Sequence, residues 1–269
     1  MSGIDLDEMR SWSIEAGKLA RQYFNQARSW RKADNTWVTE ADEAVERMLV
    51  ERIATRYPDH GIIGEEQTRN GLDREFLWAI DPIDGTASFV NGLASWGISI
   101  GLLRDGVPYR GVIYLPILDD IYWCDSEGNA FWNEERIHVA PNQAAWNNED
   151  WLSIPSDAHR HFQIDFPGKT RSLGCSIASL AYVARGSAIG ALLTRAAIWD
   201  IAAGLAILYA AGGRAIDLTG QPLHVGSMID GSKMPVTCVF AEPAQAEALR
   251  SVITEVAVDG GGATERLSD

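Results

Sequence analysis

The sequence predicts an α/β protein in two unlike parts: an α+β half over residues 1–140 and an α/β half over residues 141–269. Three observations carry this. Residues 96–133 hold successive β-rich runs, WGISIGLL, YRGVIYLPI, DIYWC and AFW, with turn signals at Asp105-Gly106 and Glu127-Gly128-Asn129. That is the pattern of an antiparallel meander. After residue 150, strand-like and helix-like runs alternate instead. The chain has 269 residues, 46% of them hydrophobic, enough to enclose a sizeable core.

Taken in order, Ile4, Met9, Ile14, Leu19, Tyr23 and Phe24 recur at loose helical spacing and predict a helix over roughly 4–28. Thr39-Glu40-Ala41-Asp42 reads as a capping box opening a second helix. Its apolar stripe is Val45, Met48, Leu49, Ile53 and Ala54, and Tyr57-Pro58-Asp59-His60-Gly61 ends it. Ile62-Ile63 is a short strand running into Gly64-Glu65-Glu66, and the polar run 67–75 predicts an exposed loop. Phe76 to Ile80 form a buried strand that stops at Asp81. The polar stretch PNQAAWNNED, 141–150, marks the junction between the halves. Beyond it WLSIPS and TRSLG predict strands, 176–185 a helix, AIGALL a strand, and 199–211 a buried helix stopped by Gly212-Gly213. RAIDL and VTCVFA predict two more strands, 243–257 a closing helix, and DGGGATERLSD a disordered tail.

Composition excludes several classes. A formal net charge of −14 repels phosphate backbones, so no nucleic-acid partner is expected. No run approaches the ~18 apolar residues of a membrane span, so no membrane partner is expected either. The N-terminus is acidic and lacks the pattern of a signal peptide. Cys124, Cys175 and Cys238 are far apart with no CxxC pair, which argues against a thiolate zinc site and fits a reducing cytoplasm.

The stretch AIDPIDGTASF, 79–89, holds the first chemistry. Pro82 restricts Asp81 to extended geometry and donates no hydrogen bond. Gly85 permits a sharp turn or a close backbone approach. Such a turn can bring Asp81 and Asp84 to one point and leave the N–H groups near Gly85-Thr86 facing an anion. Two carboxylates about 4 Å apart repel by ~4 kcal/mol at an effective dielectric near 20, so the pair needs a proton, a basic partner or a cation. Grouped hard oxygen donors select Mg²⁺, Ca²⁺ or Mn²⁺. Taken alone, the stretch reads equally as an acidic turn. Likewise Glu65-Glu66 reads as a solvated loop and Asp200, in WDIAAG, as a first-turn carboxylate at a helix start.

Together, Gly64-Glu65-Glu66, the DPIDGTxxF pattern at 81–89 and the WDxAAG pattern at 199–204 resemble the inositol monophosphatase family of metal-dependent phosphatases. VTEAD (38–42) and RSLG (171–174) sit where that family has counterparts, so the resemblance covers most of the chain. It implies a layered αβαβα sandwich of the sugar-phosphatase type, a homodimer, lithium sensitivity, and hydrolysis of small phosphate monoesters with two or three Mg²⁺ ions, Mn²⁺ also being suited. By motif position it implies that Glu65, Asp81 and the carbonyl of Ile83 hold one ion and that Asp81, Asp84 and Asp200 hold a second. Glu65 would also touch a weaker third ion through water, and Glu65 and Thr86 would hold the attacking water, with Asp42 hydrogen-bonded to Thr86 or to third-ion water. Gly85 and Thr86 would cradle the phosphate, and Gly174, Cys175 and Ser176 would meet the substrate.

The pattern breaks in one place. Family members acting on inositol phosphate carry a glutamate seven residues before the WD aspartate; here the position is Leu193, followed by Thr194 and Arg195. A leucine cannot replace a hydroxyl-binding carboxylate. Arg195 could pair with a substrate anion or with a surface acid. Cys175 reads as a packing residue rather than a nucleophile, and His159 and His161 as surface histidines. Inositol 1-phosphate is therefore one candidate substrate beside histidinol phosphate, a sugar bisphosphate and a nucleoside bisphosphate. A non-catalytic, metal-stabilised binding protein is the alternative from another class.

Overall fold

A computed structural model describes residues 4–33, 36–143 and 145–256. The first half runs α1 (Leu6–Tyr23), β1 (Ser29–Arg31), β2 (Trp37–Thr39), α2 (Glu40–Arg56), β3 (Gly61–Gly64), β4 (Arg69–Asn70), β5 (Phe76–Asp84), α3 (Thr86–Val90), β6 (Gly97–Arg104), β7 (Val107–Leu115), β8 (Asp120–Cys124), β9 (Ala130–Trp132) and β10 (Glu135–Ile137). The second runs β11 (Trp151–Ser153), α4 (Ala158–His161), β12 (Phe162–Ile164), β13 (Lys169–Arg171), α5 (Ser176–Ala184), β14 (Gly190–Leu193), α6 (Ile198–Ala210), β15 (Arg214–Asp217), β16 (Cys238–Ala241), α7 (Pro243–Ser251) and β17 (Ile253–Glu255).

Two sheets organise the chain. One has eight strands in the order β10-β9-β8-β7-β6-β5-β3-β4, antiparallel except where β3 lies parallel to β5. The other has five, in the order β13-β11-β14-β16-β15, and is mixed. Side chains alternate across β5 with the strand period of two. Trp78 and Ile80 join the core formed with Met9 and Ala16 of α1 and Val45 and Leu49 of α2. Leu77 and Ala79 join the core formed with Leu180 of α5 and Ile201 and Leu205 of α6. The five-stranded sheet presents Leu192 and Val239 to a third cluster with Leu249 of α7. The layers are therefore helix, sheet, helix, sheet, helix, as the resemblance implied.

The central contact needs small residues. A β-carbon on Gly111 would lie 2.3 Å from the Ala203 carbonyl oxygen, and one on Gly101 2.6 Å from the Ala203 neighbour Ala202. These two glycines let α6 lie directly on the sheet. That is why α6 is buried almost all round, Ile198, Trp199 and Ile201 to Leu208 being inaccessible.

Several details differ from the sequence reading. The buried face of α1 is Met9, Trp12, Ala16 and Ala20, while Ile14 and Leu19 are only half-buried. On α2, Ala54 is exposed and Glu46 is buried. The predicted loop 67–75 contributes β4, and the closing helix ends at Ser251, after which β17 pairs with β12. Short paired elements like these carry too few residues for a periodicity signal. The tail lies outside the described residues.

Candidate active site

Strand β5 does not stop at Asp81. Its pairing with β6 continues through Asp81↔Ser99 to Asp84↔Gly97, so three steps along β5 oppose two along β6. This is a β-bulge around Pro82, where the missing N–H costs the ladder nothing. The bulge sets the site. In a regular strand, positions 81 and 84 have opposite parity and face opposite sides of the sheet. The extra residue restores a common face, because Ser99 and Gly97 share one. Gly85 then takes φ 85° and starts α3 at Thr86.

Asp81 and Asp84 thereby meet Asp200, which α6 delivers at its third position. Oxygen atoms of these three carboxylates lie within 4.8 Å of one another. Each has one oxygen held by a backbone N–H. Ile83 N donates to Asp81 Oδ1 at 3.0 Å, Ile177 N to Asp84 Oδ2 at 2.7 Å, and Ala197 N to Asp200 Oδ2 at 2.7 Å. The Cys175 thiol also lies 3.1 Å from Asp84 Oδ2. Asp81 also lies within hydrogen-bond reach of the carboxyl groups of Glu65 and Asp200. Ser99 Oγ donates to the Trp199 carbonyl at 3.1 Å, tying the start of α6 to β6 beside the cluster.

No lysine or arginine pairs with this trio among the described residues. Burial first, then the charges of its neighbours, holds Asp81 and Asp200 well above the ordinary carboxylate range. Burial likewise pushes Asp84 up to about 6, against the backbone bonds that lower it. At 4.8 Å each like-charge contact costs about 3–4 kcal/mol at an effective dielectric near 20. All-oxygen donors, anchored and lacking a counter-charge, fit a hard divalent cation.

A second acidic group, Asp42, Glu65 and Glu66, adjoins the first, again with oxygens within 4.8 Å of one another. Glu65 thus stands with Asp42, although its charge presses on Asp81. Burial raises Asp42 to about 7 even though it accepts from Thr39 N (2.8 Å) and Thr39 Oγ1 (2.6 Å). Burial raises Glu66 to about 7 as well. The Thr86 hydroxyl reaches the Ile83 carbonyl at 3.0 Å and Asp42 Oδ1 at 3.4 Å, so the expected Asp42–Thr86 contact is present.

Two residues escaped the sequence reading. Lys32, between β1 and β2, places Nζ 2.9 Å from Glu65 Oε1 and 2.8 Å from Glu66 Oε1. Glu46 accepts from the N–H groups of Glu66, Gln67 and Thr68 and from the Thr68 hydroxyl at 2.7–3.1 Å, which shapes the loop after β3. On the helix Glu46 resembles any exposed charge. Its signal was the adjacent Gly64, whose β-carbon would stand 2.6 Å from Glu46 Oε2.

Gly174, Cys175 and Ser176 line a small cavity with Leu193 and Thr194 beside Asp84. Arg195 does not join the cluster. Its guanidinium pairs with Asp157 at 3.3 Å and is 71% exposed. His161 also contacts Asp157, at 3.4 Å, and His159 is exposed. The three cysteines are free and buried.

The layered fold places a cluster of oxygen donors able to hold a metal ion at the end of its central sheet. The model of the inositol monophosphatase family matches residues 5–252, and the chain belongs to that family. It is 31% identical over 233 residues to a fructose-1,6-bisphosphatase/inositol-1-monophosphatase of Aquifex aeolicus, covering 82% of this chain and 88% of that one. It is 34% identical over 236 residues to a histidinol-phosphatase of Chlorobaculum parvum, covering 84% and 89%. The solved structure of a Thermotoga maritima IMPase superposes with a TM-score of 0.79 at 29% identity, covering 92% of this chain and 95% of that one.

Proposed function

We propose that this protein is a Mg²⁺-dependent phosphomonoesterase that hydrolyses a small phosphorylated metabolite. The observation that carries the proposal is the convergence of Asp81, Asp84 and Asp200, with no basic partner among the described residues, beside the Gly85-Thr86 turn. Asp81, Asp84 and Asp200 would hold one ion, and Glu65, Asp81 and the Ile83 carbonyl would hold another; Mn²⁺ suits the same donors. When bound, the ions supply Lewis acidity and an activated water. The chain's own groups do the rest. Thr86, held between Ile83 and Asp42, orients the attacking water with Glu65. Gly85 and Thr86 present N–H groups to the phosphate oxygens. Positioning and charge neutralisation account for most of what phosphoryl transfer requires. The water oxygen bonds to phosphorus as the ester P–O bond breaks, and the alcohol leaves with the proton.

The direct test is phosphate release from inositol 1-phosphate, histidinol phosphate, fructose 1,6-bisphosphate and 3′-phosphoadenosine 5′-phosphate, with Mg²⁺ and with a chelator. Release from at least one, lost on chelation, is expected. No release from any would leave the metal-stabilised binding protein as the reading. Family resemblance also supports a homodimer, and the three separated cysteines a reducing cytoplasm. Sedimentation should then give twice the 29.5 kDa chain mass, and a monomer would refute the dimer.

A further inference from the structure

We propose that Glu46 is a positioning residue of the site: its buried carboxylate folds residues 64–68 so that Glu65 and Glu66 face the same way, and so sets how tightly their acidic group takes a divalent cation. This deepens the phosphatase reading and rests on it. Asp42 and Glu46 stand four residues apart on α2, one turn along a single face, and both are buried. Asp42 belongs to the acidic group itself. Glu46 reaches the chain that carries the other two members. Its Oε2 accepts from Glu66 N at 2.8 Å, and its Oε1 from Gln67 N at 3.1 Å, Thr68 N at 3.0 Å and Thr68 Oγ1 at 2.7 Å. Three successive N–H groups thus converge on one carboxylate, the backbone arrangement that suits an anion.

The rest of the segment closes around this grip. Gly64 N donates to the Thr68 carbonyl at 2.9 Å, and Glu65 N to the Ile80 carbonyl, next to Asp81, at 3.2 Å. The Arg69 guanidinium donates to the carbonyls of Gly64 and Thr68 and lies 4.7 Å from the centre of the Trp199 ring, next to Asp200. A β-carbon on Gly64 would stand 2.6 Å from Glu46 Oε2, so the carboxylate packs directly on the backbone before Glu65. The consequence shows in the side chains. Consecutive residues of an extended chain point to opposite faces. Glu65 and Glu66 instead both reach Lys32 Nζ, at 2.9 and 2.8 Å, and both join Asp42 with oxygens within 4.8 Å of one another. Like charges this close repel, and an unanchored segment would relieve the repulsion by turning one side chain away. Bonds to the main chain at 66, 67 and 68 remove that freedom. Glu46 gives the acidic group its shape without belonging to it.

The test measures Mn²⁺ binding to the full chain by electron paramagnetic resonance, in the parent and in Glu46→Gln, Thr68→Val and Leu49→Ala. Glutamine keeps an acceptor for Gln67 N and Thr68 but turns an NH₂ group on Glu66 N, a donor against a donor. Glu46→Gln should weaken the affinity for at least one bound Mn²⁺ by about tenfold, the lower end of what losing an outer partner of a metal ligand costs. The Mg²⁺ concentration for half-maximal phosphate release should rise by a similar factor, while kcat at saturating Mg²⁺ stays within about threefold of the parent. Thr68→Val removes a single bond to Glu46 and should weaken Mn²⁺ by roughly threefold. Leu49→Ala opens the core under α2 without touching these hydrogen bonds, and should leave Mn²⁺ affinity unchanged. Parental affinity for every bound Mn²⁺ in Glu46→Gln, or an equal loss in Leu49→Ala, would overturn the inference; where Glu46→Gln does not fold, Thr68→Val decides it in the same way. Failure of the parent to release phosphate from any ester would remove the phosphatase reading alone, because the Mn²⁺ affinities still decide the role of Glu46.

Discussion

Asp84→Asn should lower kcat/KM by about 10³-fold, because a ligand charge acting on a bound ion is worth several kcal/mol and each 1.36 kcal/mol is tenfold. The substitution is nearly isosteric. An asparagine can still accept from Ile177 N, which holds Asp84 Oδ2 at 2.7 Å, so the start of α5 stays in place. What it loses is the negative charge shared with Asp81 and Asp200. Burial and those neighbours oppose that charge in the metal-free protein. The metal-free variant should therefore melt at the same temperature as the parent or higher, while being nearly inactive. Thermal melting and Mg²⁺-supported phosphate release, measured on the same preparation, check both halves. A fully active Asp84→Asn protein would sink the ion-binding role of this carboxylate.

The second large effect couples metal, pH and stability. Asp81 and Asp200 are raised well above the ordinary range, Asp84 to about 6, and Asp42 and Glu66 to about 7. A carboxyl whose pKa is higher folded than unfolded binds protons more tightly in the native state. Its stabilising effect is complete below the unfolded pKa and is lost as pH rises through the folded one. The window here runs from the unperturbed values of 3.8 and 4.5 to about 7. Asp125, Asp217 and Glu247 are shifted the other way, and they act at lower pH. The metal-free protein should thus lose stability between pH 5 and 7. Mg²⁺ should restore it, by ~2.7 kcal/mol at a hundred times its Kd. At about 2–4 °C per kcal/mol for chains of this size, the midpoint should rise by roughly 5–10 °C. The rise should be larger at pH 8 than at pH 5, where protons compete for the same oxygens. A melting temperature indifferent to Mg²⁺ at pH 8, or rising between pH 5 and 7 without metal, would contradict the cluster's electrostatics.

How much of this was readable beforehand differs from residue to residue. The capping box at Thr39-Asp42 announces α2, and Asp42 does hold Thr39 N as predicted. The same carboxylate also meets Thr86, which no local rule predicts. Glu46 and Lys32 were invisible for a related reason. An acid on a helix and a lysine in a polar hairpin look solvent-facing until a distant loop arrives to meet them. Arg195 was open between a substrate anion and a surface acid, and Asp157, 38 residues away, took it.

The sequence by itself determined the elements and the chemical inventory. Periodicity, caps and turn residues act over a few residues, so the meander, α2, α6 and the motif carboxylates could be placed from local patterns and family resemblance. Only the tertiary structure decided which carboxylates share a face. Asp81 and Asp84 converge because β6 pairs across a bulge and restores their parity, a register that belongs to two strands and not to either one. Asp200 reaches them because Gly101 and Gly111 let α6 lie on the sheet. Arg195 is held by Asp157, 38 residues away, and not by a sequence neighbour. Each of these is a long-range contact, set by packing and charge between segments that one stretch of sequence cannot see.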